Sequence, residues 1–312
     1  MADLFCINLG AHMKKTTIVL AMMLASSLSL QAKELEVYGK INISAQSSDE
    51  GDGRFTELKS NSSNFGVKGE YALEDGLKVV YQLEFGVETT NGASDKNIKA
   101  RDQYLGLAGS FGEIRLGRHD TALKLSQGKI DQFNNYEADV QTLWQGENRL
   151  TNSISYFTPS FSGFYAQFSY IAEGSADADD GISAALLYGD ESLKSSNVYF
   201  GLAYDSKVAG FDTVRASAQV KVAEFKLGAM YQTQEAVISG LEQDGYLFSV
   251  AYPLEKFELK AQYQALEDDK GFSVGADYKL GKNTKAFAWY SSFDFYNAVD
   301  KNYVALGLEH KF

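Results

Sequence analysis

From about residue 34 onward, apolar positions recur at every second residue. In ELEVYGKINISAQ, Val37, Ile41, Ile43 and Ala45 share one face, and Lys40, Asn42, Ser44 and Gln46 share the other. In LKVVYQLEFGVE, Leu77, Val79, Tyr81, Leu83, Phe85 and Val87 oppose Lys78, Gln82, Glu84 and Glu88. GFSVGADYKL repeats the pattern, with Phe272, Val274, Ala276 and Tyr278 against Ser273, Asp277 and Lys279. A sustained period of two predicts strands with one apolar and one polar face. Such runs start near residues 34, 63, 77, 98, 112, 150, 163, 181, 196, 211, 223, 245, 257, 270, 284 and 301, about sixteen in all. No helical period and no domain linker interrupts them. Short connections at 74–76, 110–112, 159–163, 254–256 and 280–283 alternate with longer ones at 47–61, 90–97, 121–148, 173–181, 234–244 and 293–302. This predicts an antiparallel sheet with one tight rim and one rim of loops. Pro159 and Pro253 sit at or beside short turns, where a missing backbone donor is tolerated.

Two architectures use many two-faced antiparallel strands. A sandwich buries its apolar faces against each other; a membrane barrel turns them to lipid and encloses the polar faces around water. The polar faces here carry Lys, Arg, Glu, Gln and Ser, which a dry core would penalise. Spread over these runs, the chain leaves about 17 residues per strand and connection, enough for the roughly 9–11 residues a bilayer-crossing strand needs. The fold class predicted is therefore all-β, a transmembrane antiparallel β-barrel of about sixteen strands. It forms a single domain over residues 33–312. Composition agrees: 19 Tyr, 20 Phe and 28 Gly against 2 Pro favour strands and turns over helices.

Residues 1–32 read differently. Met13–Ala32, MKKTTIVLAMMLASSLSLQA, has a basic start, a short apolar core and a small-residue end, which predicts a secretory signal peptide. Residues 1–12 fit no part of such a signal, so translation is expected to start at Met13. The single cysteine, Cys6, lies in that upstream stretch, and the exported chain then has no thiol and no cysteine metal ligand. The whole chain has 29 basic and 41 acidic residues, a net charge of −12, and removing Asp3, Lys14 and Lys15 makes it one unit more negative. That balance argues against nucleic acid as a partner. Catalysis is not expected. The exported part has two histidines, His119 and His310, and no metal-binding spacing; its G-x-S-x-G match, GFSVG at 271–275, lies inside an alternating run rather than at a strand-to-helix turn. No cofactor is implied.

The segments VYGK (37–40), NFGVKGE (64–70), RDQYLGLAGSFGEIRLGR (101–118) and NRLTNSISYFTPSFSGF (148–164), with the terminal Phe312, resemble the Gram-negative general porin family over the whole exported length. The resemblance implies a sixteen-strand barrel in the outer membrane of a Gram-negative bacterium, in contact with lipopolysaccharide and outer-membrane lipids and usually assembled as a homotrimer. It implies a water-filled channel for passive diffusion of ions and small hydrophilic solutes. It also implies that Phe312 belongs to a sorting signal read by the outer-membrane assembly machinery. Alternatives are a channel of the same fold specific for sugars or phosphate and, as a distant third, an outer-membrane hydrolase.

In that family a loop after the fifth strand folds inward and sets acids opposite a basic wall. Here the segment is Thr121–Asn148, the longest without alternation, and long loops are commonly functional. Asp131, Glu137 and Asp139 lie mid-loop and are the acidic candidates. The family's Pro-Glu-Phe-Gly-Gly stretch is absent from it. The resemblance assigns Lys40, Arg101 and Arg149 to the basic wall, and Arg115 and Arg118 are further candidates. Arg101 shares its parity with Leu105 and Leu107, an apolar face. Asn64 stands where the family often has arginine, and Lys68 is the compensating cation. With that wall one charge short and the chain net negative, a weak to moderate cation preference is expected. Acidic clusters at Asp49, Glu50 and Asp52 and at Asp177, Asp179 and Asp180 lack the spacing of a calcium loop and read as solvated surface, with divalent bridging to lipopolysaccharide phosphates as the minor alternative.

Overall fold

A computed structural model describes residues 32–90, 97–174 and 179–312. The leader read at Met13–Ala32 lies outside the described residues except for its last position, and so does Asp177. The described chain forms one antiparallel sheet of seventeen β-segments: β1 (Ala32–Asp49), β2 (Arg54–Ser60), β3 (Asn64–Ala72), β4 (Lys78–Val87), β5 (Ile98–Gly109), β6 (Gly112–Asp120), β7 (Arg149–Phe157), β8 (Phe164–Ile171), β9 (Gly181–Gly189), β10 (Val198–Val208), β11 (Phe211–Val222), β12 (Phe225–Ala236), β13 (Glu242–Leu254), β14 (Phe257–Leu266), β15 (Asp269–Lys279), β16 (Thr284–Asp294) and β17 (Lys301–Lys311). Both β2 and β3 pair with β1, so they are two halves of one stave, interrupted at 61–63, and the barrel has sixteen staves.

Two expectations about the connections change. The stretch 47–61, read as a loop, is largely strand. Phe55 shares parity with Glu57 and Lys59, which hides the alternation, while pairing from Ile43↔Ser60 to Asp49↔Arg54 holds the segment. The loop rim is also not uniformly long, since β10–β11 and β14–β15 are joined there by the two-residue turns 209–210 and 267–268.

Closure comes from β1 against β17, in register from Lys40↔Lys311 to Asp49↔Asn302. Gly39 and Phe312 extend that ladder with two reciprocal backbone hydrogen bonds of 3.0 Å. A Cβ on Gly39 would stand 2.4 Å from Phe312 Cζ, so glycine makes room for the ring. Closing the sheet removes the unpaired edges that hydrocarbon would not tolerate. No helix among the described residues is long and apolar enough to cross a membrane; the strands do the crossing.

The pleat sorts side chains as the alternation predicts. Leu202, Phe248, Val304 and Leu306 are exposed on the outside, while Gln232, Gln234, Gln262 and Gln264 are buried on the inside. Aromatic pairs ring the outer surface near the short-turn rim: Phe164 with Tyr188 (4.7 Å between centroids), Phe225 with Tyr252 (4.6 Å) and Phe257 with Tyr278 (4.7 Å). Rings at that level suit the membrane interface. Leu306 is 65% exposed midway along β17, between Ala45 and Ala288. Leu306→Arg is expected to cost about 2–4 kcal/mol of folding into bilayers, the range for a cation on the lipid face near the midplane. Urea titration of vesicle-inserted protein checks this.

Candidate functional site

The segment 121–148 leaves β6 and begins with a short helix, α1 (Ala122–Leu125), capped by Thr121, whose hydroxyl accepts from the Lys124 amide at 3.3 Å. The segment then bonds to polar-face side chains around much of the wall. The Leu123 amide donates to Ser183 on β9 (3.0 Å), and Tyr199 on β10 donates to the Ser126 carbonyl (3.0 Å). Gln262 and Gln264 on β14 donate to the Ala138 carbonyl at 3.2 and 3.1 Å, and Asn42 on β1 donates to the Tyr136 hydroxyl at 3.3 Å. Partners that all belong to the inner face place the segment within the barrel.

An apolar seat fixes it there. Ile130, Phe133, Val140, Leu143 and Trp144 pack with Met230, Leu247, Phe287 and Trp289 of the inner wall. Glycines open the space: a Cβ on Gly228 would meet Ile130 at 2.8 Å, and one on Gly245 would meet the Trp144 indole nitrogen at 2.7 Å. That nitrogen donates to the Ala265 carbonyl at 2.8 Å. At the far end Arg215, wholly buried, donates to Glu147 (2.7 Å), to Gln232 (2.7 Å) and to the Gln145 carbonyl (3.2 Å).

The free edge of the segment faces β5–β7 across a cavity lined by Arg101, Asp120 and Arg149 from the wall, and by Lys124, Gln127, Lys129, Asp131 and Asn134 from the segment. Arg101 reaches it because of a β-bulge. Leu83 pairs with Gln103 but Phe85 pairs with Ala100, so β5 holds one extra residue opposite β4. The bulge overrides the parity that groups Arg101 with Leu105 and Leu107. Arg101 donates to Glu84 and to the Ser62 hydroxyl, the latter at 3.0 Å. Arg149 is held at 2.8 Å by Asp102 and at 3.0 Å by Asp120, which also pairs with Lys124 at 3.2 Å. Lys40 stands on the same wall, within electrostatic reach of Arg101, Lys285 and Glu309.

The other predicted positions lie elsewhere. Arg115 pairs with Glu113 (2.6 Å) between the rings of Tyr104 and Phe157, toward the short-turn rim. Lys68 pairs with Glu36 at 3.2 Å beside Tyr38 at the same end. Arg118 is cross-strand to Gln103, on the parity of the outward Leu105 and Leu116.

Among the loop acids, Glu137 is engaged by Lys59 on β2 at 2.8 Å. Asp131 accepts backbone hydrogen bonds from Phe133 and Val140, both 2.9 Å, and Asp139 accepts from Asn135 (2.6 Å) and Gln141 (3.0 Å). These two carboxyl groups staple the segment to itself. Burial, reinforced by the neighbouring Asp139 charge, pushes Asp131 up to about 8 in spite of its amide donors, and burial lifts Asp139 to about 6.

Sequence reasoning missed Glu84, Asp102 and Asp120 as partners of the arginines, and Lys59 as the partner of Glu137. It also missed an inner-wall cluster in which Asp277 bridges Lys260 (3.1 Å) and Lys285 (2.8 Å). Polar-face parity on β4, β14, β15 and β16 held the signal for Glu84 and for this cluster.

A sixteen-stave barrel with a lipid-facing exterior and a charged, narrowed lumen defines an outer-membrane channel. Residues 16–298 match the family model for Gram-negative porins, and the chain belongs to that family. It is 31% identical to outer membrane porin protein 32 of Delftia acidovorans, over 96% of this chain and 93% of that one. Among solved structures it resembles an anion-selective porin from Comamonas acidovorans, with TM-score 0.73, 21% identity and coverage of 89% and 99%. It also resembles the trimer form of the Vibrio cholerae outer membrane protein OmpT, with TM-score 0.66, 16% identity and coverage of 89% and 99%. The protein is thus an outer-membrane porin of a Gram-negative bacterium and a channel rather than an enzyme.

Proposed function

We propose that the barrel conducts ions and small hydrophilic solutes by passive diffusion, with a weak preference for anions at its constriction. The carrying observation is that the loop acids are already engaged: Asp131 and Asp139 by backbone amides, Glu137 by Lys59. Arg101, Arg149, Lys124 and Lys129 then face the passage against carboxylates that mainly neutralise them. The cation preference expected from the summed charge is therefore replaced, because most of that charge lies away from the constriction. The anion-selective relative from Comamonas acidovorans supports the same sign. Opposed charges across the passage orient water and disfavour apolar solutes. Lys40 belongs with the two arginines, and Arg115 and Lys68 serve the short-turn vestibule. The test is the reversal potential of refolded protein in a KCl gradient across a planar bilayer. A small anion-directed potential is expected, and a strong cation-directed one overturns the reading.

The assembly is proposed to be a homotrimer, supported by the trimer form of the Vibrio cholerae relative. Phe312, seated over Gly39 at the closing seam, is proposed as part of the assembly signal. Lipopolysaccharide contact through the acidic loops completes the proposal.

A pH dependence follows. With Asp131 raised to about 8, it is neutral below that value and gains a charge facing the cavity above it. The folded carboxyl sits above its unfolded value. Its contribution to stability is therefore full below the ordinary carboxylate range and is lost as pH rises through about 8. Cation permeability is expected to grow between about pH 7 and pH 9, and Asp131→Asn is expected to abolish most of that growth. Reversal potentials at the two pH values check both statements.

A further inference from the structure

The connection between β9 and β10, residues 190–197, lies on the short-turn rim, yet it does not stay outside the barrel. Asp190 organises it, accepting from the amides of Ser192 (2.8 Å), Lys194 (2.9 Å) and Ser195 (2.8 Å). The turn so formed places Leu193, 7% exposed and at φ 53°, in an apolar cluster with Leu123 of the inner segment and Tyr199 of the wall. Glu191 then meets the inner segment itself. Its carboxylate is 3.7 Å from Lys129 Nζ, and a Cβ on Gly128 would stand 3.2 Å from Glu191 Cβ. Glu191, Lys129 and Asp131 line both the cavity that holds Arg101 and Arg149 and a second cavity on the side of Lys226, Lys260 and Lys285.

We propose that residues 190–197 are a second arm of the constriction, entering from the short-turn rim. Glu191 with Lys129 forms the partition between the two lumen cavities and sets, with the inner segment, how ions divide between them. This goes beyond the diffusion reading and rests on it. Three features point the same way: the turn is internally tied, its apolar side chain is anchored under the inner segment, and its one acidic side chain at the partition pairs only loosely. A connection serving merely to join two strands needs none of these.

The test uses cysteine chemistry in a Cys6→Ser background, which removes the only native thiol. Glu191→Cys is reconstituted in planar bilayers and treated from the short-turn side with a cationic or an anionic methanethiosulfonate. The expected result is a stepwise fall in open-channel conductance with either reagent, and shifts of reversal potential in opposite directions for the two. Glu255→Cys, in another turn at the same rim, is expected to label with neither effect. Complete labelling of Glu191→Cys, verified by mass, with conductance and reversal potential unchanged overturns the proposal; so does failure of the thiol to label. Should Glu191→Cys not insert, Ser192→Cys, which lines the second cavity, carries the same test. If the unmodified protein gives no channels at all, it is the diffusion reading that has failed.

Discussion

Arg101→Gln with Arg149→Gln turns the channel cation-preferring. The two guanidiniums stand with Lys40 at the narrow passage, and each is paired with carboxylates that stay behind: Glu84 for Arg101, Asp102 and Asp120 for Arg149. With both removed, Lys124 still offsets part of Asp120 and Lys40 remains on the wall, but Glu84 and Asp102 lose the guanidiniums that neutralise them. A unit charge roughly 5 Å from a passing ion is worth about 3 kcal/mol at an effective dielectric constant of 20, before salt screens it over a Debye length of about 10 Å. Even half of that changes the permeability ratio on the order of tenfold, since about 1.4 kcal/mol corresponds to that factor. The reversal potential in a KCl gradient should change sign, and the change should shrink as salt is raised. Arg115→Gln is the control. That guanidinium lies toward the rim between two rings and beside Glu113, so its removal should move the potential far less. An unchanged potential in the double variant would place the selectivity elsewhere in the lumen.

The barrel was readable from the chain because lipid and water impose the same rule on every stave: outward positions apolar, inward positions polar. That rule located β4, β14, β15 and β17 nearly to the residue. It failed where a side chain's fate depends on something other than strand parity. At Arg101 a single extra residue in β5 reverses the face, and no local pattern announces a bulge. On β16, KAFAWYSSF is apolar on both sides, since Phe287 and Trp289 face inward to seat the inner segment while Ala288 and Tyr290 face out. The alternation placed this strand from residue 284, but it could not show that the inward rings serve the inner segment. The acids illustrate a different limit. Asp131, Glu137 and Asp139 were visible as charges, but whether a carboxylate faces an ion or a backbone amide depends on how the loop folds. The charge total could not say where in the channel its excess lies. Residues 190–197 carry no sequence signal of their own for the same reason, because Leu193 and Glu191 acquire their roles only by meeting Leu123 and Lys129.

Arg215→Ala should unseat the inner segment while leaving the barrel folded. Arg215 lies on β11 with no exposed surface, and its partner Glu147 is almost as deeply covered, with a side chain 5% exposed. Removing the guanidinium leaves that carboxylate with the Gln127 side-chain amide and no cation, and breaking a buried pair from one side costs about 3–5 kcal/mol. The loss falls on the segment because the other bonds of Arg215 also go to it or to its support, namely the Gln145 carbonyl and Gln232. The strand ladder of β11 with β10 and β12 uses backbone groups and stays intact. Both tryptophans of the chain, Trp144 and Trp289, lie in the apolar seat, so intrinsic fluorescence reports on the seat alone. The expected result is red-shifted emission and noisier, larger conductance, with unchanged heat-modifiable mobility of the folded barrel. Replacing both partners, Arg215→Met with Glu147→Met, should recover the blue emission, since an apolar pair of similar volume leaves no uncompensated charge. If the single variant keeps its emission and its quiet open level, the apolar contacts hold the segment unaided and the ion pair contributes little to the seat.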